Sequence, residues 1–172
     1  MSNAFQTIAY HKNSASTAAW NIMVHRFFIS HDKPDNEMWL GDGIYFWEKQ
    51  RDAEWWDGGY ENETIVKATL TCNYDDFANL DEEDALEEFK LFCQKTKDSM
   101  ENQNGMSFDF SNGRFQVNSF FFNVFKETYN ILLIKYSFPR RNNRPQYCAT
   151  NNDIVSDIQI AARLIANRWE WC

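Results

Sequence analysis

Leu40-Gly41-Asp42-Gly43-Ile44-Tyr45-Phe46-Trp47-Glu48 is the stretch on which the reading of this chain turns. Two glycines one residue apart lead straight into a run of aromatic and branched side chains. Glycine admits backbone conformations closed to other residues and lets a neighbouring chain or a ligand come close. Gly43–Trp47 is therefore predicted to be a strand entered through a tight turn. Tyr45 stands at its start, beside the opening the glycines leave, and a flat ring there is suited to stacking on a flat ligand. Upstream, the apolar run Ile8-Ala9-Tyr10 ends on His11. A histidine and a tyrosine at the ends of two early strands are the start of a site.

The segments around this pair read in order. Phe5–Tyr10 is predicted to be a strand. Ser14, Ser16 and Thr17 offer N-cap oxygens, and Ala18, Ala19, Ile22, Met23 and Arg26 follow at helical spacing, giving a helix over Ala15–Phe27. Ser30–Met38 is a polar loop holding Pro34. Lys49–Trp56 reads as a helix stopped by Gly58-Gly59. Glu63–Thr71 alternates and is rich in Thr, Ile and Val, so it is a strand. Asn73–Asp84 is acidic and turn-like. Ala85, Leu86, Phe89, Phe92 and Cys93 recur on one face, giving a helix over Glu82–Met100.

Asn102–Gly113 is a polar connector. The phenylalanine-rich Phe115–Phe125 reads as a buried helix, with a strand as the alternative for so short a run. Tyr129–Phe138 is a strand, Pro139–Asn152 a polar loop, Ile154–Arg163 a final strand, and Leu164–Cys172 a tail of undetermined form. No repeat, linker or low-complexity segment divides residues 1–172, which read as a single domain. The layout is α+β, with two small β-sheets packed on each other and flanking helices.

Composition narrows the function. The fifteen Phe and seven Trp supply a large core. A formal net charge of −8 reads as a diffuse acidic surface and disfavours non-specific nucleic-acid binding, although Arg140, Arg141 and Arg144 cluster in one loop. Cys72, Cys93, Cys148 and Cys172 are widely spaced, and only three histidines accompany them, so no zinc spacing can be assembled and no metal is expected. Free thiols, no signal-peptide pattern and no membrane-length apolar stretch point to a cytoplasmic protein without a membrane partner. The acidic Asp75-Asp76 and Asp81–Asp84 lack the calcium-loop pattern. Dinucleotide-fold, P-loop and serine-hydrolase signatures are absent.

Tyr10-His11-Lys12-Asn13-Ser14, then a helix, then Leu40–Phe46, then a helix with Ala53-Glu54-Trp55-Trp56, resembles the front half of an ADP-ribosyltransferase fold. The nearest branch is the poly(ADP-ribose)-polymerase-like, diphtheria-toxin-like group, including its small bacterial and phage members. The resemblance covers the first seventy or so positions, and the remainder fits in outline.

It implies NAD as substrate, bound between two sheets. His11 would hydrogen-bond a ribose hydroxyl, Tyr45 would pack on nicotinamide, and backbone groups at Lys12 would meet the carboxamide. A polar residue on a late strand, for which Gln159 is the candidate, would hold the nicotinamide ribose. His11, Tyr45 and Gln159 are the implied catalytic set, and His11, Lys12, Ser14, Gly43 and Tyr45 the implied NAD-binding set.

The resemblance further implies mono-ADP-ribosylation of a protein or nucleic-acid acceptor by a toxin or defence effector, with an antitoxin or inhibitor protein as a partner. The alternative is a domain of the same fold that binds NAD, ADP-ribose or a protein without turnover. Lys12 replaces the family's usual glycine, and Gln159 is neutral where the best-studied transferases carry glutamate. Glu48 and Arg163 are further candidates, for a ribose or substrate and for a phosphate.

Overall fold

The computed structural model describes residues 3–31, 38–56, 59, 62–104, 119–138, 143–165 and 168–172. Gly58, Phe115, Arg140 and Arg141, named above, lie outside the described residues.

The elements are β1 (Ala4–Ser14), α1 (Ala15–Val24), β2 (Ile44–Trp47), α2 (Gln50–Trp55), β3 (Glu63–Asn73), β4 (Phe77–Asn79), α3 (Glu83–Asn104), α4 (Ser119–Tyr129), β5 (Leu133–Phe138), β6 (Arg144–Ala149), β7 (Val155–Ile165) and β8 (Arg168–Trp171). The mixed α+β layout stands. The strands join into one eight-stranded sheet ordered β4-β5-β6-β2-β1-β3-β7-β8, which corrects the expectation of two separate, packed sheets.

The sheet is nonetheless nearly divided. β1 and β3 pair along their whole length, from Ala4↔Asn73 to Ser14↔Glu63. β1 and β2 share the single register pair Tyr10↔Trp47. Two four-stranded halves, β4-β5-β6-β2 and β1-β3-β7-β8, therefore meet at a narrow seam. At the end of β1, Ser14 pairs with Glu63 and caps α1 by accepting from the Thr17 N–H at 3.2 Å, so the chain passes there from strand to helix.

Side chains alternate across the sheet. Ala9, Ile44, Phe46, Val66, Ala68 and Leu133 form one core layer, which also takes in Ala18 of α1. On the other face of the β4-β5-β6-β2 half, Ile134, Tyr136, Phe138 and Cys148 pack against Phe89 of α3 and Phe121, Phe122 and Phe125 of α4. On the same face of the other half, Trp47, Ile65 and Ala162 gather around Ala53 of α2. The described part of the phenylalanine-rich run, from Ser119, is thus a core helix, and the alternative of a strand falls away.

Besides β4, a short strand inside the stretch read as turn-like, three elements depart from the sequence reading. α4 runs to Tyr129, so β5 begins only at Leu133. The terminal tail adds β8 to β7, with Ile165↔Arg168 the pair nearest the turn. The third departure has the largest consequence: Arg144–Ala149, expected as loop, is β6, wedged between β5 and β2. Pro145 disguises it, since proline removes a ladder donor, but it sits at the second position of the strand, where that loss costs least.

Candidate functional site at the sheet seam

The seam positions the histidine first. Beyond Tyr10↔Trp47 the strands part, and the Tyr45 carbonyl has no ladder partner on β1. His11 Nδ1 lies 2.5 Å from that carbonyl oxygen, so the ring donates across the gap in place of a backbone N–H. Phe27 and Phe46 flank the imidazole at ring distances of 4.9 Å and 5.6 Å. Burial lowers the His11 pKa, with hydrogen bonds to the Tyr45 carbonyl and to Asn13 pulling the other way. The ring is therefore neutral at pH 7, with its proton on Nδ1.

Tyr45 does not share that face. Its neighbour Phe46 packs with His11, so the Tyr45 side chain projects from the opposite side of β2. There its hydroxyl donates to the Gly41 carbonyl and accepts from the Leu40 N–H, both at 2.7 Å. Burial raises its pKa well above the ordinary phenol value, with the Cys148 thiol adding to the shift. What the structure brings together is the His11 ring and the Tyr45 backbone; the two side chains diverge.

The glycines explain the turn differently from the sequence reading. A Cβ on Gly43 would lie 2.4 Å from Cys148 Sγ and 2.7 Å from the Ala149 carbonyl oxygen. Gly41 has φ +74°, and a Cβ there would meet Asn123 Oδ1 at 2.3 Å. The space expected to admit a ligand beside Tyr45 is filled by β6 and α4. Lys126 of α4 completes the closure: its buried ammonium donates to the Leu40 carbonyl at 3.0 Å and to that of Asp42.

Two other implied ligand-binding groups are committed elsewhere. The buried Lys12 ammonium pairs with Glu63 at 2.8 Å and donates to the Glu54 and Trp56 carbonyls. It also lies 5.2 Å from the Trp169 ring centre. Lys12 thus fastens the end of α2 to the sheet, and its ammonium is committed there. The Ser14 hydroxyl caps α1. Gln159 is exposed on β7 and paired with Lys67, with β3 and β1 standing between it and the Tyr45 strand. Glu48 is held at 2.7 Å by Lys135 and accepts from the Tyr147 hydroxyl at 3.3 Å. Arg163 is exposed on β7, opposite Thr64.

β6, the strand next to that of Tyr45, carries another glutamine. Gln146 lies directly opposite Trp47, on the strand that pairs with β2. Its side chain is on the Tyr45 face, is buried, and its Oε1 has no hydrogen-bond partner. The one other buried side-chain atom without a partner, among the described residues, is Arg144 Nε. It belongs to the same face of the same strand, two residues away. A buried acceptor and a buried donor, each unsatisfied, each carry a desolvation cost that a ligand can remove.

Tryptophans surround this spot. Trp47 lies 6.4 Å from Trp55 and 5.9 Å from Trp56. Trp39 meets Trp56 edge-on at 5.7 Å. Trp55 is 46 % exposed, an unusual degree for so large an apolar ring. Rings at the edge of a seam can stack on a planar heterocycle, whereas Tyr45 is tied down through its hydroxyl.

No cluster of His, Cys, Asp and Glu able to hold a metal ion occurs among the described residues, and no helix there is long and apolar enough to cross a membrane. No protein-family model, no curated protein and no solved structure matches the chain.

Proposed function

We propose that the chain is an NAD-dependent mono-ADP-ribosyltransferase whose nicotinamide ribose is held by Gln146. The carrying observation is the unpartnered, buried Gln146 carbonyl on the strand next to Tyr45. It supports the reading because a ribose hydroxyl is a donor that would satisfy it. The resemblance of the segments around His11 and Tyr45 supplies the reaction class.

In this reading His11 stays neutral and braces the Tyr45 strand from the opposite face of the sheet, through Nδ1 and the Tyr45 carbonyl. Nicotinamide lies against the tryptophans around Gln146, with the Tyr45 strand as its floor. The glycosidic C–N bond breaks, nicotinamide leaves with the electron pair, and an acceptor nucleophile bonds to the ribose carbon and loses its proton. Positive charge grows on the ribose along the way. The carbonyl dipole of Gln146 stabilises that charge less than a carboxylate would, which suits a single transfer.

The neutral amide is also the specific feature that favours the second reading, a domain that binds NAD without turnover. Incubation with NAD labelled in the adenylate portion, in cell lysate, separates the two. Transfer predicts labelled macromolecule and free nicotinamide. Saturable binding without either product selects the second reading, and neither binding nor product refutes both.

A further inference from the structure

At the start of β6 lies a cavity of about 310 Å³ lined by Lys49, Arg51, Asp52, Asn143, Arg144 and Pro145. Its chemistry is unusual for a chain of net charge −8: three cations line it against one carboxylate. The Asp52 carboxylate is buried and already paired with Arg144 Nη1. Arg51 approaches the same oxygen at 4.0 Å but is largely exposed. The Arg144 guanidinium lies over the Trp55 ring at 4.3 Å, which fixes its plane. Its Nε is buried and has no acceptor. A guanidinium held flat over a ring, on a wall that carries two further cations, is arranged for a tetrahedral oxyanion.

The nucleotide reading given above points to the kind of anion: Arg144 stands two residues from Gln146 on one strand face, with roughly 7 Å between their Cα atoms, and a nucleotide carries a phosphate and, one sugar away, ribose hydroxyls. We propose that this cavity is a phosphate subsite, filled by a phosphate of the reacting nucleotide chemistry: either the donor's own pyrophosphate or a phosphate on the acceptor. The subsite rests on the cavity's own groups and does not require that transfer occurs.

Titration calorimetry with inorganic pyrophosphate tests it without any turnover. The wild-type chain is expected to bind with a Kd of about 1 mM or tighter, weakening as salt rises. Lys49→Ala/Arg51→Ala removes exposed side chains, should leave the melting temperature unchanged, and should weaken binding at least about tenfold. Arg144→Lys keeps a cation beside Asp52 but removes Nε, and should also weaken it. Pyrophosphate that competes with NAD identifies the donor as the source. Pyrophosphate that binds alongside NAD, but is displaced by a 5′-phosphorylated oligonucleotide, identifies the acceptor. No binding by the wild type, or equal binding by folded Lys49→Ala/Arg51→Ala, overturns the proposal.

Discussion

Replacing Gln146 by methionine should make the protein more stable and destroy its function. The Oε1 of Gln146 is buried without a partner, and an unsatisfied buried acceptor costs about 1–3 kcal/mol. Methionine has nearly the same length and shape, and its thioether needs no hydrogen bond. Allowing for imperfect packing, the substitution should gain about 1–2 kcal/mol. For a chain of 172 residues that is a rise in Tm of roughly 2–8 °C. Urea denaturation of both proteins under matched conditions gives the free-energy difference directly.

The same variant should lose NAD binding and nicotinamide release, because the ribose hydroxyl loses its acceptor. Stability and function thus move in opposite directions at one residue, as expected where a site is kept at the expense of the fold. A Gln146→Met protein that is less stable than wild type would show that the amide serves the core. One that is more stable and fully active would show that the vacancy is not the ribose site. Either result refutes the reasoning.

Other perturbations follow from the geometry around the seam. Gly43→Ala should destabilise by about 1–3 kcal/mol by urea denaturation, since the added methyl meets β6. Cys148→Ala in the same chain should recover only part, because the Ala149 carbonyl remains in the way. Lys12→Met should cost about 3–5 kcal/mol in the same assay by leaving Glu63 unpaired at low exposure, and Lys12→Met/Glu63→Gln should return part of it. The folded-state pKa of His11 lies below its unfolded value, so the unfolded chain gains the proton first. Stability from this group is full above pH of about 6.5 and is lost as pH falls toward the lowered folded value. His11→Gln should therefore show a shallower decline in Tm between about pH 7 and 5.5 than wild type does.

The legible parts of the fold are those whose signal is local. Ala18 to Arg26 at helical spacing behind a serine cap, the alternation of Glu63–Thr71 and the apolar face of Phe89 and Phe92 each specify an element from neighbouring residues alone. Tyr45 was legible for the same reason, as a residue near a strand start beside a turn signal, whereas His11, expected at a strand end, lies inside β1, which continues to Ser14. The side of the sheet on which each would sit was not legible, because it depends on which residues pair across the seam.

β6 was hidden by its own composition. Asn142, Asn143, Arg144 and Pro145 read as loop, and a strand buried between two others by long-range pairing needs no periodic pattern. The run Gln146-Tyr147-Cys148-Ala149 after the proline was the one available signal. Gln146 was hidden with β6: Gln146 and Gln159 are both glutamines on late strands, and only the sheet order tells which strand lies beside β2. The glycine pair shows the converse. Its conformational meaning was readable, but its cause, the close approach of Cys148 and Asn123, involves residues far away in the chain.

A crystal structure of the protein soaked with NAD tests the central claim most directly. The account predicts the dinucleotide along the seam, a hydroxyl of the nicotinamide ribose on Gln146 Oε1, and the His11–Tyr45 carbonyl bond unchanged. Density at some other surface, or Gln146 still without a partner in a crystal that holds NAD, would contradict it.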